Sequence, residues 1–392
     1  MKTTKKKYVV FILYSSYSIF SLCSLKYFTA PYIWIGTVFF IMTIILSLCL
    51  QQSNMKVFLY NFCFAILVLT LFEIYFYFQL LEINIAYKGT YKTSNYFQKD
   101  ELLGYCPQKN IQISSEKYYK DNPIYQVKYT INNNGLRKSS PYVDPCNDRN
   151  KCCLIFFGGS FTFGEGVNDH ETLPYQIATM APKNKFNIYN FAFHGYGPHQ
   201  MLAALEHGRV AEIVRCSNKV IIIYQAIKDH LFRVAGLRSW DIHGPKYQLD
   251  SNKKLVYKGH FDDNNLFPAP IMNQFIKSFL YQKILSSIQE KSLGIDNAID
   301  LFIAVVNQSK MYAEKQFPNL EFHFIYWNNE NGDIPLLREL NLLEKNKIII
   351  HCITDIITDL KDNSSKYFIK FDGHPNATAN SVISKYIINT IF

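Results

Sequence analysis

The chain has 392 residues, of which 48% are hydrophobic, and it carries 41 Lys and Arg against 31 Asp and Glu. This length allows more than one domain. The basic excess is diffuse beyond the N-terminus, without a compact basic run interleaved with aromatic residues, so no nucleic-acid partner is expected. The apolar residues are concentrated at the N-terminal end, and the rest has the composition of an ordinary soluble domain.

Three apolar stretches follow the lysine-rich N-terminus, at residues 8–25, 32–50 and 57–81. Each is long enough to cross a bilayer as a helix, so we predict a transmembrane region over residues 1–83. The lysines favour a cytoplasmic N-terminus, which puts the chain after the third stretch on the periplasmic or extracellular side of the cytoplasmic membrane. The alternatives are a cleaved signal peptide for the first stretch and, for the bundle, a plain anchor or a binding platform for a membrane partner.

Residues 84–150 lack helical periodicity. Residues 126–131 alternate between apolar and polar like a short strand, and an Asn-rich turn signal follows at 132–135. We predict a small β-rich connecting module, with a simple structural linker as the alternative.

The nine cysteines do not show the paired spacing of a zinc site. In an oxidising compartment, Cys146 has Cys152 or Cys153 as possible disulfide partners. Alternatively, Cys152 and Cys153 are buried thiols of an apolar strand. The connectivity does not follow from the sequence.

From residue 151 onward, apolar stretches alternate with amphipathic ones. The predicted strands are 152–157, 187–191, 219–224, 321–327 and 347–351. The predicted helices are 171–180, 198–214, 297–316, 335–344 and 377–391. Alternation of this kind predicts a parallel sheet with helices on both faces. Residues 231–295 are an insertion with a further helix near 271–289, and insertions beside such a sheet often shape the substrate cleft.

The sequence LIFFGGSFTFGEG at residues 154–166 is the stretch around which the chain is organised. An apolar run ended by glycines is typical of a buried parallel strand at its C-terminal edge. Catalytic groups of open α/β sheets lie at that edge, so Ser160 is the candidate nucleophile. The alternative is an ordinary Gly-Ser turn.

Two later stretches strengthen the first interpretation: NFAFHGYGP at 190–198 and FDGHPN at 371–376. Together with residues 158–164, GGSFTFG, they resemble the GDSL/SGNH hydrolases, whose first block is G-D-S-x-x-x-G. The resemblance covers roughly residues 150–392. It implies a flavodoxin-like three-layer α/β/α hydrolase domain over residues 151–392.

The resemblance also implies roles for individual residues. Ser160 is the nucleophile and His374 the base that takes its proton. Asp372 holds the imidazole tautomer and stabilises the imidazolium. The backbone N–H groups of Ser160 and Gly195 are the expected oxyanion donors. No metal or cofactor is expected. The alternative for residues 372–375 is a turn before the last helix.

Three departures from the family pattern stand out. Gly159 replaces the aspartate of the first block. The last block is D-x-H rather than D-x-x-H, which changes where the Asp372 carboxylate points. The asparagine that usually follows the third strand is missing, and Lys228, Asp229 and His230 occupy that loop. We favour His230 as the replacement oxyanion donor, with an oxyanion hole built from backbone alone as the alternative.

These observations predict a membrane-anchored serine hydrolase that cleaves acyl or acetyl esters through an acyl-serine. Its expected substrates are esters on cell-envelope glycans or lipids. The first alternative is an O-acyltransferase that uses the same acyl-serine, supplied by a membrane acyl-donor partner. The second is a non-catalytic binding or assembly protein on the same fold, which the missing asparagine suggests.

Overall fold

A computed structural model describes residues 53–92, 96–142, 151–182, 186–263, 286–317, 319–328 and 339–392, together with the single residues 41, 44, 278, 279, 281 and 284. Apart from residues 41 and 44, the predicted membrane stretches 8–25 and 32–50 lie outside this set. The chain divides into two compact units, Met1–Ile83 with Asn265–Ile288 and Asn84–Asn264 with Gln289–Phe392.

The first unit contains residues 53–83 of helix α1, Ser53–Ala86. Its segment Tyr60–Gln79, with mean hydropathy 1.8, is the one helix among the described residues that is long and apolar enough to cross a membrane. It falls within the predicted stretch 57–81. Glu73 on this helix is buried and accepts a 2.7 Å hydrogen bond from the Phe279 backbone N–H of the same unit. The carboxylate therefore has a local partner.

The second unit begins with five short strands: β1 Tyr87–Tyr91, β2 Phe97–Asp100, β3 Gly104–Pro107, β4 Ile111–Tyr119 and β5 Asn122–Ile131. Strands β1, β4 and β5 form one antiparallel sheet, and β2 pairs with β3. The inward side chains of Ile113, Tyr129 and Ile131 belong to the same hydrophobic core as the main sheet. This segment is thus packed onto the rest of its unit rather than extended from it.

A five-stranded parallel sheet forms the centre of the second unit, in the order β12-β11-β8-β6-β7. Its strands are β6 Cys152–Gly158, β7 Phe186–Asn190, β8 Val220–Ala226, β11 Leu320–Tyr326 and β12 Ile348–Cys352. Every residue of β8 is buried. A continuous apolar strand suits this central position because helices cover both faces of a parallel sheet. The predicted parallel sheet and its five strands are confirmed.

The helices follow in chain order: α2 Ser160–Phe163, α3 Leu173–Met180, α4 Pro198–Glu206, α5 Arg209–Ile213, α6 His230–Val234, α7 Ser286–Leu293, α8 Ile295–Gln316, α9 Asn341–Glu344, α10 Ile353–Ile356, α11 Ser364–Tyr367 and α12 Ala377–Ile391. Helices α3 and α12 pack together on one side, and α4 and α8 on the other. The predicted helix 198–214 is instead two helices, because Gly208 between them has φ 75°. The layers are α/β/α.

The insertion contributes a short antiparallel hairpin, β9 Pro245–Leu249 with β10 Leu255–His260. Two single-turn 3₁₀ helices complete the described elements, Asp169–Glu171 and Ser239–Asp241. The helix predicted near 271–289 lies mostly outside the described residues, and so does most of the one predicted at 335–344. The part of the latter that is described is α9.

Cys153 and Cys216 are joined by a disulfide that closes a loop of sequence separation 63, with Cα atoms 6.2 Å apart. Cys153 is therefore neither a free buried thiol nor paired with Cys146, which lies outside the described residues. Cys106, Cys152 and Cys352 are free thiols. A structural disulfide persists in oxidising compartments rather than in the cytosol.

Replacing Cys216 by Ser will lower the free energy of unfolding by about 2–4 kcal/mol, because the unfolded chain regains the freedom that the closed loop removes. Urea denaturation of the detergent-solubilised chain measures the difference. Reductant will destabilise the wild type and the Cys352→Ser control equally but will leave Cys216→Ser unchanged. Equal stability of wild type and Cys216→Ser without reductant would refute this.

Candidate active site

The turn after β6 places Ser160 at the carboxyl edge of the sheet. Gly158 has φ 146°, and a Cβ there would collide with the Thr162 hydroxyl and lie 2.9 Å from the Gln225 carbonyl oxygen. Only glycine fits this conformation and this space. Ser160 then begins α2 and is almost fully buried, with 7% of its surface exposed.

His374 reaches this serine from the loop before α12. Its Nε2 lies 2.8 Å from Ser160 Oγ, and its Nδ1 lies 2.5 Å from Asp372 Oδ1. The ring of Phe161 packs edge-on against the imidazole, with centroids 5.5 Å apart. The structure thus brings Ser160, His374 and Asp372 into one hydrogen-bonded row.

The shortened D-x-H spacing is accommodated by the backbone of this loop. Phe371 has φ 63° and Gly373 has φ 87°, so two left-handed residues flank Asp372. The chain turns tightly enough that the carboxylate, one residue nearer than in the family pattern, still meets His374 Nδ1. The turn also leads into α12, because Asn376 Oδ1 accepts from the N–H groups of Thr378 and Ala379. The catalytic interpretation of this stretch is therefore compatible with its being a turn before the last helix.

Strand β4 supplies a cation to this row. Lys117 Nζ lies 2.6 Å from Asp372 Oδ2, and the Asp372 side chain is fully buried. Two residues further along β4, the Tyr119 ring stacks on Phe371 with centroids 4.7 Å apart. The loop that carries His374 is thus held by the N-terminal strands of its unit, a contribution that the sequence did not indicate.

The charges around His374 determine its titration. Burial lowers the pKa of His374, but the hydrogen bond to Asp372 and the charges of Glu165 and Asp372 outweigh burial and leave that pKa raised. Burial raises the pKa of Asp372, yet the hydrogen bonds from His374 and Lys117 hold that pKa below the ordinary value. The row therefore contains an ionised carboxylate and a strengthened base.

The backbone N–H groups of Ser160 and of Gly195 have no partner among the described residues. Gly195 has φ 73°, and a Cβ there would lie 2.6 Å from both Trp240 Nε1 and the Tyr105 hydroxyl. Free N–H groups at such a turn are the donors that an oxyanion requires. The structure leaves both of the predicted backbone donors free.

His230 lies beneath the nucleophile turn and is 1% exposed. Its Nδ1 is 2.7 Å from the Tyr224 hydroxyl, while its buried Nε2 has no partner among the described residues. A Cβ added at Gly159 would lie 3.1 Å from that Nε2. Burial holds the pKa of His230 well below the ordinary value. If Tyr224 donates to Nδ1, the neutral ring carries its proton on Nε2, next to the residue that precedes Ser160.

The space that an aspartate would occupy at position 159 is filled by Arg233. A Cβ on Gly159 would lie 2.6 Å from Arg233 Nη1 and 3.0 Å from the Tyr196 carbonyl oxygen. The guanidinium is held by Asp229 Oδ2 at 2.7 Å and donates to the Tyr196 carbonyl at 2.8 Å. The glycine that departs from the family motif is thus a packing requirement of this chain.

Glu165 is a residue of the site that the sequence analysis missed. Its Oε2 lies 2.6 Å from His194 Nδ1 and 3.6 Å from His374 Nε2. Burial raises the pKa of Glu165, but the charges of His194, His374 and Lys117 lower it to about 2. The sequence does contain a signal for it: in GEG at 164–166, a charged residue stands between two glycines directly after the nucleophile block.

No protein-family model matches this sequence, and no curated protein matches it. Among solved structures, the chain is similar to a member of the lipolytic protein G-D-S-L family from Veillonella parvula DSM 2008, with 11% identity, 61% of this chain and 97% of that chain covered, and a TM-score of 0.35. It is also similar to the acetyl xylan esterase Est2A of Butyrivibrio proteoclasticus, with 10% identity, coverage of 71% and 73%, and a TM-score of 0.34. A carbohydrate esterase family 2 enzyme of Corynascus thermopiles (Myceliophthora fergusii) shares 11% identity over 71% of this chain and 76% of that one, with a TM-score of 0.31. Likenesses at this level assign no activity to this chain.

Replacing Lys117 by Met will move the acid limb of Ser160 reactivity to higher pH. His374 must be neutral to take the serine proton, and the nearby ammonium lowers its pKa against the pull of Asp372 and Glu165. Removing the ammonium raises the pKa of His374 further, so more alkali is needed to free the base. The rate of phosphonylation by a fluorophosphonate, measured from pH 5 to 9, tests this. Lys128→Met, at an exposed position of β5, is the control. An unmoved limb in Lys117→Met would contradict the assignment.

Proposed function

We propose that this chain is a serine ester hydrolase that works through an acyl-serine. The observation that carries the proposal is the row in which Ser160 Oγ lies 2.8 Å from His374 Nε2 and His374 Nδ1 lies 2.5 Å from Asp372. These distances are within the reach that proton transfer requires. An unassisted serine is a weak nucleophile, and a base in this position activates it.

The first half of the proposed reaction forms the acyl-serine. Ser160 Oγ attacks the ester carbonyl carbon, and His374 Nε2 takes the serine proton. The N–H groups of Ser160 and Gly195 stabilise the oxyanion. His374 then gives the proton to the departing alkoxide as the carbon–oxygen bond of the ester breaks. Asp372, held ionised beside Lys117, stabilises the imidazolium between these steps.

The third oxyanion donor in this proposal is His230. Its Nε2 is buried without a partner among the described residues and lies beside Gly159. Burying a polar nitrogen without a partner is costly. When Tyr224 donates to Nδ1, the unpaired group is an N–H, and a bond formed during the reaction would satisfy it. A developing oxyanion at Ser160 would supply that acceptor.

The proposed setting is the outer side of the cytoplasmic membrane. The apolar segment Tyr60–Gln79 supports membrane anchoring, and the Cys153–Cys216 disulfide supports an oxidising compartment. Acyl or acetyl esters on cell-envelope glycans or lipids are the substrates within reach of an enzyme placed there.

An acyltransferase differs from this hydrolase only in the acceptor. The alignment of a base with a serine and an ionised carboxylate favours an enzyme over a binding protein.

A fluorophosphonate probe will label the detergent-solubilised wild-type chain, because an activated serine attacks its phosphorus. Labelling of Ser160→Ala and His374→Ala will fall to background, while the exposed His170→Ala control will label like wild type. With an ester substrate, Asp372→Asn will lower kcat on the order of 10⁴-fold, since the imidazole then adopts the wrong tautomer. If the probe fails to label a wild-type chain that circular dichroism shows to be folded, both the hydrolase and the transferase interpretations are contradicted.

Replacing His230 by Phe will lower kcat about 10²–10³-fold, because the ring keeps its volume but loses the donor. His230→Gln, whose amide can still donate, will retain more activity than the Phe variant. Ester hydrolysis by both variants, with thermal unfolding as the check on folding, measures the effect. Wild-type kcat in His230→Phe would leave the oxyanion hole to the backbone N–H groups alone.

A further inference from the structure

A second carboxylate faces the base of the row, and acylation makes no use of it. Glu165 Oε2 lies 3.6 Å from His374 Nε2, the same nitrogen that lies 2.8 Å from Ser160 Oγ. The side chains of Glu165 and His374 are 17% and 18% exposed. Both side chains are therefore partly accessible to solvent, next to the serine that His374 contacts.

The position of Glu165 is fixed from several directions. Its N–H donates to the Ser160 carbonyl at 3.0 Å, which folds the segment back over α2. Arg137 donates to the carbonyl oxygens on both sides of it, those of Gly164 and Val167. The carboxylate itself is held by His194, whose other ring nitrogen lies 2.9 Å from the Tyr96 hydroxyl. A side chain held this firmly has a defined orientation toward His374.

The separation between the two acceptors has a chemical consequence. A gap of 3.6 Å is longer than a hydrogen bond, but one oxygen atom can lie about 2.8 Å from both atoms at once. Water has two O–H groups and can donate one to His374 Nε2 and one to Glu165 Oε2. An alcohol has a single O–H and can satisfy only one of them. The Oε2 atom has a lone pair for this bond in addition to the one used by His194.

We propose that Glu165 orients the water that cleaves the acyl-serine, and so favours hydrolysis over transfer to an alcohol. This inference rests on the proposed esterase function. His374 Nε2 is neutral once the alkoxide has left, and it takes one proton from the water. The water oxygen bonds to the acyl carbon, the bond from that carbon to Ser160 Oγ breaks, and the imidazolium returns its proton to Oγ. A carboxylic acid is released, and the Glu165 carboxylate stays ionised throughout.

Pre-steady-state hydrolysis of p-nitrophenyl acetate by the full-length chain in detergent separates the two half-reactions. The burst of p-nitrophenol reports acylation, and the slower steady state reports deacylation. At pH 8.5, Glu165→Leu will slow deacylation about tenfold or more while changing the burst rate less than about threefold. With glycerol added as acceptor, the ratio of transfer to hydrolysis will rise severalfold. Glu165→Gln, which keeps the contact with His194, will change in the same direction.

Glu171→Gln is the matched control, because this nearby carboxylate caps the backbone at Asn168 instead of facing the serine, and glutamine serves that role equally. It will keep both rates and the acceptor ratio of the wild type. Equal slowing of burst and steady state in the Glu165 variants would overturn this proposal, since it would mean that Glu165 only supports the charge of His374. An unchanged acceptor ratio would overturn it as well. Wild type that neither reacts with the fluorophosphonate nor hydrolyses the ester would instead overturn the esterase function itself.

Discussion

The hydrogen bond from Ser160 to His374 joins residues 214 positions apart in the chain, and it can form only because the packing of the second unit holds both residues in place. One end is fixed by β6, which lies between β7 and β8 and cannot shift without breaking both ladders. A slip of one residue would turn every side chain of the strand to the opposite face. The other end is fixed by α12, which packs on α3 and carries the His374 loop at its start. Sheet register and helix packing thus set a distance between two atoms.

The strands that precede the sheet are part of the site rather than a spacer. Tyr96 holds His194, Lys117 meets Asp372, and Arg137 fixes the turn that carries Glu165. Each contact reaches a different piece of the site, so the antiparallel strands and the α/β layers form one electrostatic unit. The two carboxylates and one ammonium near His374 leave that base between opposing charges. The balance among them is set by packing between segments distant in sequence.

Much of the second unit follows from local sequence signals. The five central strands are apolar runs bounded by glycine or polar residues, and burial on both faces demands that composition. Ser160, His374 and Asp372 do converge, because each follows a strand or precedes a helix whose direction the alternation determines. Their catalytic roles remain predictions.

Contacts between segments that are distant in the chain do not follow from local sequence signals. The pairing of Cys153 with Cys216, the approach of Lys117 to Asp372 and the return of Glu165 over Ser160 depend on how strands and loops meet in space. No periodicity encodes them. The sequence indicated that the shortened Asp372–His374 spacing redirects the carboxylate, but not that the left-handed Phe371 and Gly373 allow it to reach His374.

The contact between Gly159 and Arg233 limits the sequence changes open to this chain. A side chain at 159 would meet a guanidinium that Asp229 and the Tyr196 carbonyl hold in place. An aspartate at position 159 therefore requires that Arg233 move or be replaced. The two positions are therefore expected to change together among relatives: aspartate before the serine where the later residue is small, and glycine where it is arginine. A change at one motif position, here Gly159, can thus be offset by a change at a second position, here Arg233, while the arrangement of the site residues is kept.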